Sequence, residues 1–155
     1  MRHRRLWSLA ILEWSNIALQ WFIWFGYIGL PATGTNVVGF VLFAWLLAQG
    51  GAYWFLKLRQ LQLRLPRLPG ISAFRALRML NVVLLVAGGA VVVLGVVRNP
   101  GAASWPGLGF AVFAVLEHVN YFHVQLMHDT RADWRRLRSS GLRRSHLAAD
   151  LRTAQ

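Results

Sequence analysis

Four long apolar runs constrain this chain of 155 residues more than any other feature of its sequence. They cover residues 6–30, 37–56, 79–97 and 107–127. Each is close to the roughly 20 residues that cross about 30 Å of hydrocarbon as a helix. Because a backbone in hydrocarbon must satisfy its own hydrogen bonds, helices are the expected spanning form. The sequence therefore predicts an all-α integral membrane four-helix bundle over residues 1–129, followed by a basic cytoplasmic tail over residues 130–155.

The basic residues set the expected orientation of these helices. Of the 17 Lys and Arg residues, all but Arg98 lie before the first run, between the second and third runs, or after the fourth. Cytoplasmic loops of membrane proteins carry the excess of Lys and Arg. We therefore expect a multi-pass protein of a bacterial plasma (inner) membrane, with both termini and the middle loop in the cytoplasm.

The start of the chain has one feature of an export signal, because Arg4 and Arg5 precede an apolar run. That run, however, carries Glu13, Asn16 and Gln20, is too long for the apolar core of a signal peptide, and has no Ala-x-Ala cleavage site. We expect the segment to remain in place as the first membrane helix.

The basic residues also suggest partners. A net charge of +12 does not indicate nucleic-acid binding here, because the basic residues are confined to the gaps between apolar runs. In the middle loop, leucines recur at helical spacing until Pro66 and Pro69 interrupt them. In the tail, Trp134, Leu137 and Arg138 indicate a short interfacial helix. Both segments either lie passively at the lipid headgroups or bind a specific lipid or protein. The expected partners are the bilayer and its anionic headgroups.

Two of the five acidic residues, Glu13 and Glu117, lie inside predicted membrane helices. Because a charged acid at mid-bilayer is costly, such residues generally face a partner or a water-filled cavity. Helical spacing places each glutamate on one face of its helix together with other polar or aromatic side chains. These companions are Asn16, Gln20 and Trp24 on the first helix, and Asn120, Tyr121 and His128 on the fourth, flanked by His118, Gln125 and His123.

Depth brings several of these groups to one level. Counting from the cytoplasmic helix ends places Glu13, Gln49, Glu117 and Asn120 about 10 to 15 Å below that interface. We therefore predict a polar cavity in the cytoplasmic half of the bilayer. Its predicted ligand-binding or proton-binding residues are Glu13, Asn16, Gln20, Trp24, Gln49, Glu117, Asn120 and Tyr121, with His118, His123 and His128 as a secondary set. The opposite arc of the fourth helix, formed by Val115, Val119, Phe122 and Leu126, is predicted to face lipid.

Several kinds of chemistry are disfavoured by residue type and spacing. Cysteine is absent, which excludes disulfides, thiolate nucleophiles and Cys-ligated metals within the chain. All membrane histidines belong to one helix, whereas two axial haem ligands must come from opposing helices. A di-metal carboxylate site needs a Glu-x-x-His motif, but Asn120 follows Glu117 at that spacing. We predict no metal site, and the sequence identifies no cofactor.

Three classes of function remain open. The first is binding or proton-coupled transport of a small molecule, since a buried glutamate can hold either a proton or a cation. The second is a small membrane enzyme that uses Glu and His as general acid and base. The third is a structural or accessory subunit whose polar side chains fasten the helices together.

In size and layout, a four-helix chain with a glutamate in its first helix resembles the small multidrug-resistance exporters. The pattern around Glu13 and the longer middle loop differ from that family, so no residue role is carried over. A chain this small would need to form a homodimer to enclose a pathway. The pairs Gly50-Gly51 and Gly88-Gly89 would allow the close helix contact that such a dimer requires.

Overall fold

The computed structural model describes residues 2–126 and 144–153, with side chains from residue 4 onward. Within these ranges the protein is all-helical and has no strand, which confirms the predicted all-α class. The elements are α1 (Arg2–Trp21) with a π-helical continuation (Phe22–Tyr27), α2 (Gly34–Gln62), α3 (Ile71–Arg98), α4 (Trp105–Phe122) and α5 (His146–Thr153). His128 and the interfacial helix predicted around Trp134 lie outside the described residues.

Helix α2 is the centre of the bundle, because it packs against α1, α3 and α4. Its aromatic side chains Phe40 and Phe43 form a core with Phe110 of α4 and Val92 of α3. Phe40 meets Phe110 edge to face, with ring centroids 5.2 Å apart, an arrangement that aromatic quadrupoles favour. This aromatic core fills the half of the bundle that lies towards the loops before α2 and before α4.

Glycines allow α2 and α4 to touch through their backbones in that half. A Cβ on Gly39 would overlap the backbone carbonyl of Gly107. Asn36 is fully buried beside this contact, and its amide donates to the carbonyls of Pro31 and Ala102, each at 2.9 Å. Its side-chain oxygen accepts from the Gly107 backbone N–H at 2.8 Å. One asparagine therefore ties together both loops at this end of the bundle.

Helix boundaries differ from the apolar runs in ways that local geometry explains. The first run was predicted to residue 30, but the π-helical segment ends at Tyr27 and Gly29 adopts a positive φ of 72°. Helix α2 continues to Gln62 because leucines with helical spacing extend it beyond residue 56. Helix α3 begins at Ile71, directly after Gly70, whose φ is 73°. Helix ends are thus set by local backbone geometry and helical spacing, and not by the ends of the apolar runs.

Helix α4 ends earlier than predicted, at Phe122, and this changes the environment of that residue. After it the chain turns, and α5 returns so that Leu147 and Leu151 pack in one cluster with Phe122, Tyr53 and Phe74. Phe122 is only 2% exposed. Its predicted position on the lipid-facing arc is therefore wrong, because a segment distant in sequence covers it. Val115, on the same arc, is exposed.

Two helices in the described part of the chain, α2 and α3, are long and apolar enough to cross a membrane. Helix α2 is mostly enclosed by its neighbours, whereas only 11% of the apolar window of α3 is buried. The side chains that α3 exposes between residues 79 and 97 are all apolar, and its polar residue there, Asn81, is fully buried. Helix α3 therefore presents a wide apolar surface to its surroundings.

The backbone contact between α2 and α4 gives a first testable prediction. Replacing Gly39 by alanine should lower the free energy of unfolding by about 1–3 kcal/mol, because the new methyl group would overlap a backbone that cannot move aside. Gly89→Ala is the matched control, since its Cβ would meet nothing within 4 Å. Alanine there should be neutral or slightly stabilising. Unfolding curves in detergent solution check both; a Gly39→Ala protein as stable as the parent would contradict the contact.

Candidate functional site

A cleft of about 1310 Å³ lies between α1 and α4, and residues of α2 form part of its lining. We call this the α1/α4 cleft. Leu9, Leu12 and Leu19 of α1 give it an apolar wall, and Glu13 and Glu117 face it from opposite sides. It extends to the end of the bundle where Arg5 and Lys57 lie beside the α2–α3 connection, which we call the basic end.

Tyr121 connects the two sides of this cleft. Its hydroxyl donates a 2.8 Å hydrogen bond to Oε1 of Glu13 and also lies within interaction range of Glu117. The hydroxyl rests against Gly50 of α2, in the space that a Cβ there would occupy. The neighbouring Gly51 makes room for the Trp14 indole in the same way. These two glycines therefore admit large side chains between helices of the same chain.

Glu117 accepts a hydrogen bond from a side chain of its own helix. The amide of Asn120, one turn later, donates to Oε2 of Glu117 at 3.4 Å. The side-chain oxygen of Asn120 accepts from the backbone N–H of Leu126 at 2.8 Å and so fixes the turn that ends α4. Because a carboxylate can accept about four hydrogen bonds, both glutamates retain capacity for a further partner in the cleft.

A ladder of side-chain hydrogen bonds continues from the cleft along α1. The amide of Gln20 donates to Asn16 at 3.3 Å, and the indole N–H of Trp24 donates to Gln20 at 2.8 Å. The Trp24 ring then packs edge to face on Phe110 at 5.8 Å. Asn16 lines the cleft, whereas Gln20 and Trp24 connect it to the aromatic core.

Gln49 does not join the site that the sequence predicted. It forms a reciprocal pair with Asn81 of α3, in which the two amides donate to each other at 3.0 and 2.8 Å. The indole N–H of Trp45 adds a third bond to the Asn81 oxygen at 2.9 Å. Depth below the interface predicted that Gln49 lies level with Glu13. The side of α2 that carries Gln49, however, faces α3, whereas Gly50 and Gly51 face α4 and α1. This amide pair fastens α2 to α3.

Two of the predicted histidines, His118 and His123, also lie apart from the cleft. His118 is 6% exposed, and its ring stacks on that of Phe122 with centroids 5.0 Å apart. The ring centroid of His123 lies 5.4 Å from that of His118. Neither lines the α1/α4 cleft. Among the residues that the structure describes, no three His, Asp or Glu side chains gather in a way that would hold a metal ion.

Sequence reasoning missed a polar cluster at the mouth of the cleft. Lys57 Nζ contacts both carboxylate oxygens of Asp150 at 2.8 Å, and the Tyr53 hydroxyl donates to the same carboxylate at 2.9 Å. Tyr53 and Lys57 are four residues apart and share a face of α2, which is a detectable signal. The pairing with Asp150 depends on the path of the chain after α4, for which the sequence holds no local signal.

The α1/α4 cleft combines two carboxyl groups, one shared hydroxyl donor and an apolar wall. This composition suits a small ligand that is apolar over most of its surface and carries few polar groups. Comparisons of the chain with protein-family models, curated proteins and solved structures found no match. The interpretation of the site therefore depends on its own geometry.

The bond between Tyr121 and Glu13 gives a second prediction, tested by a double-mutant cycle. The single variants Glu13→Leu and Tyr121→Phe, and the protein with both changes, should show a coupling free energy of about 0.6 kcal/mol, a common value for a side-chain bond between membrane helices. Unfolding in detergent provides the four free energies.

Glu13→Leu paired with Tyr27→Phe is the control cycle. Tyr27 is exposed and lies about 20 Å farther along the same helical segment, so the two changes should be additive. Equal coupling in both cycles would mean that the Glu13–Tyr121 bond does not contribute to stability.

Proposed function

We propose that this chain is a multi-pass membrane protein that binds a small molecule in the α1/α4 cleft, in exchange for protons at Glu13 and Glu117. The observation that carries the proposal is a large, partly apolar cleft in which two carboxyl groups approach one tyrosine hydroxyl.

The membrane location is supported by the outward surface of α3. Met79, Val83, Val86 and Val97 are each more than 60% exposed, and such a continuous apolar surface is unusual on a soluble monomer. The π-helical continuation of α1 and helix α4 expose apolar side chains as well, including Phe22 and Phe113. A four-helix arrangement in the bilayer would cover all of these surfaces with hydrocarbon.

Polar residues in the rest of the bundle argue against a purely structural role for the glutamates. Among α2, α3 and α4, fastening is done by neutral amides, namely Asn36 between the loops and Gln49 with Asn81 between α2 and α3. A neutral side chain at position 13 would fasten α1 to Tyr121 equally well. Two acids in a cleft are therefore better explained by a ligand or proton that needs them.

The proposed mechanism is competition for the same carboxyl oxygens. A proton on Glu13 or Glu117 neutralises that carboxylate, whereas a ligand with a positively charged or hydrogen-bond-donating group replaces the proton. The Tyr121 hydroxyl lies near both carboxyl groups and would keep Glu13 in place during this exchange. If the cleft also opens to the other side of the membrane at some stage, the same competition drives proton-coupled transport.

The proposed orientation places the basic end in the cytoplasm. Arg59, Arg75 and Arg78 are exposed at this end and would meet the anionic headgroups of the inner leaflet. The long arginine stems can lie along apolar surface while their charged groups reach the headgroups. The cleft would then open in the cytoplasmic half of the bilayer.

Covalent labelling of carboxyl groups tests the proposed function and is the third prediction. The apolar reagent N,N′-dicyclohexylcarbodiimide reacts with protonated carboxyl groups that it reaches from a lipid phase. In reconstituted protein it should modify Glu13, Glu117 or both, as read by peptide mass spectrometry. Asp150, which pairs with Lys57, should be modified at least tenfold less.

Glu13→Gln and Glu117→Gln are the matched controls, since each removes one reactive group while keeping its shape. Each should lose the label at its own position and remain folded. A folded protein in which the reagent modifies neither glutamate would overturn the proposed site.

A further inference from the structure

We propose that α5 closes the mouth of the α1/α4 cleft at the basic end, and that the Lys57–Asp150 pair is the contact that holds it there. The inference goes beyond the proposed function, because it concerns access to the cleft and not the identity of the ligand. It assigns a role to the C-terminal segment, which lies far from both glutamates in sequence.

The position of α5 supports this closing role. Ser145, His146 and Leu147, at the start of the helix, themselves line the cleft beside Lys57 and Tyr53 of α2. His146 packs edge to face on Trp54, with centroids 5.8 Å apart. The segment therefore forms part of the cleft wall where water would otherwise enter from the basic end.

The contacts that hold α5 are few and well defined. Leu147 and Leu151 are 3% and 7% exposed and insert into the cluster formed by Tyr53, Phe74 and Phe122. Asp150 receives hydrogen bonds from both Lys57 and Tyr53. A helix of eight residues is too short to be stable alone, so α5 keeps its form only while these contacts last. Docking and helix formation should consequently be lost together.

Docking is also connected to the carboxyl site. The Ser145 hydroxyl donates to the backbone carbonyl of Tyr121 and accepts from the Ala148 N–H, which caps α5 at its start. The Ser145 N–H donates to the carbonyl of His123 at 3.2 Å. The residue whose side chain binds Glu13 is thus fixed through its backbone by α5. If α5 leaves the mouth of the cleft, Tyr121 should lose this backbone contact and become more mobile beside Glu13.

Cysteine labelling tests the proposal and is the fourth prediction. Because the chain has no cysteine, Leu9→Cys places a single thiol on the cleft wall. The rate of its reaction with a charged, water-soluble maleimide is measured in detergent micelles. In the background of Asp150→Asn or Lys57→Met, that rate should rise at least threefold, because α5 is released and water enters the cleft.

Two variants separate loss of the ion pair from a general change of charge. Arg152→Gln alters the charge of the exposed face of α5 and should leave the rate unchanged. Exchanging the partners, with Lys57→Asp and Asp150→Lys together, should return the rate towards that of the parent. Rates that stay the same in Asp150→Asn and in Lys57→Met would overturn the proposal.

A reference thiol distinguishes opening of the mouth from unfolding of the bundle. Ala114 is fully buried in the aromatic core, so a thiol introduced there by Ala114→Cys should stay unreactive in every background in which the bundle remains folded. If its rate rises together with that of Leu9→Cys, the ion pair stabilises the whole fold and α5 is not a separate closing element. Carbodiimide labelling of Glu13 in Asp150→Asn tests the proposed function independently, so failure of either proposal can be recognised by itself.

Discussion

The apolar surface of α3 is the constraint on which the proposed account of this protein depends. Between residues 79 and 97 the helix exposes apolar side chains alone, and its single polar residue, Asn81, is buried against Gln49. Hydrocarbon is the surrounding that such a surface favours. In that surrounding each polar group needs a partner inside the protein or in a cavity, because lipid offers neither donors nor acceptors.

Polar side chains in the bundle occur in two chemically different arrangements. Neutral amides fasten helices or loops, as Asn36 does at one end and the reciprocal Gln49–Asn81 pair does between α2 and α3. Such pairs carry no net charge, and they satisfy donors and acceptors together. In α1 to α4 the carboxyl groups are those of Glu13 and Glu117 at the α1/α4 cleft, where Glu13 has the Tyr121 hydroxyl and open space beside it. This contrast separates the amide side chains that fasten the bundle from the two glutamates that we propose to be functional.

Prediction from the sequence succeeded where the physical cause is local. Long apolar runs predict helices, and helical spacing places Glu13 and Asn16 on the face that lines the cleft, as it does Glu117 and Asn120. Residue spacing along a helix determines which side chains share a face, but it does not determine which helix each face meets. Gln49 therefore seemed to belong with Glu13, although its side of α2 faces α3.

The remaining errors concern contacts between distant segments. Phe122 has the spacing of a lipid-facing residue, yet Leu147 and Leu151 return to cover it from the end of the chain. The Lys57–Asp150 pair joins residues 93 positions apart, and no periodicity within either helix indicates it. Long-range pairs of this kind depend on the path of the whole chain, which requires the three-dimensional structure.

Spin labels along α3 would test the proposed membrane location most directly. A nitroxide at Val86→Cys in bilayer-reconstituted protein should relax strongly with lipid-soluble oxygen and weakly with a water-soluble nickel chelate. A nitroxide at Ser72→Cys, at the basic end, should show the opposite preference. Strong relaxation of the Val86→Cys label by the nickel chelate would place α3 in water and contradict the account.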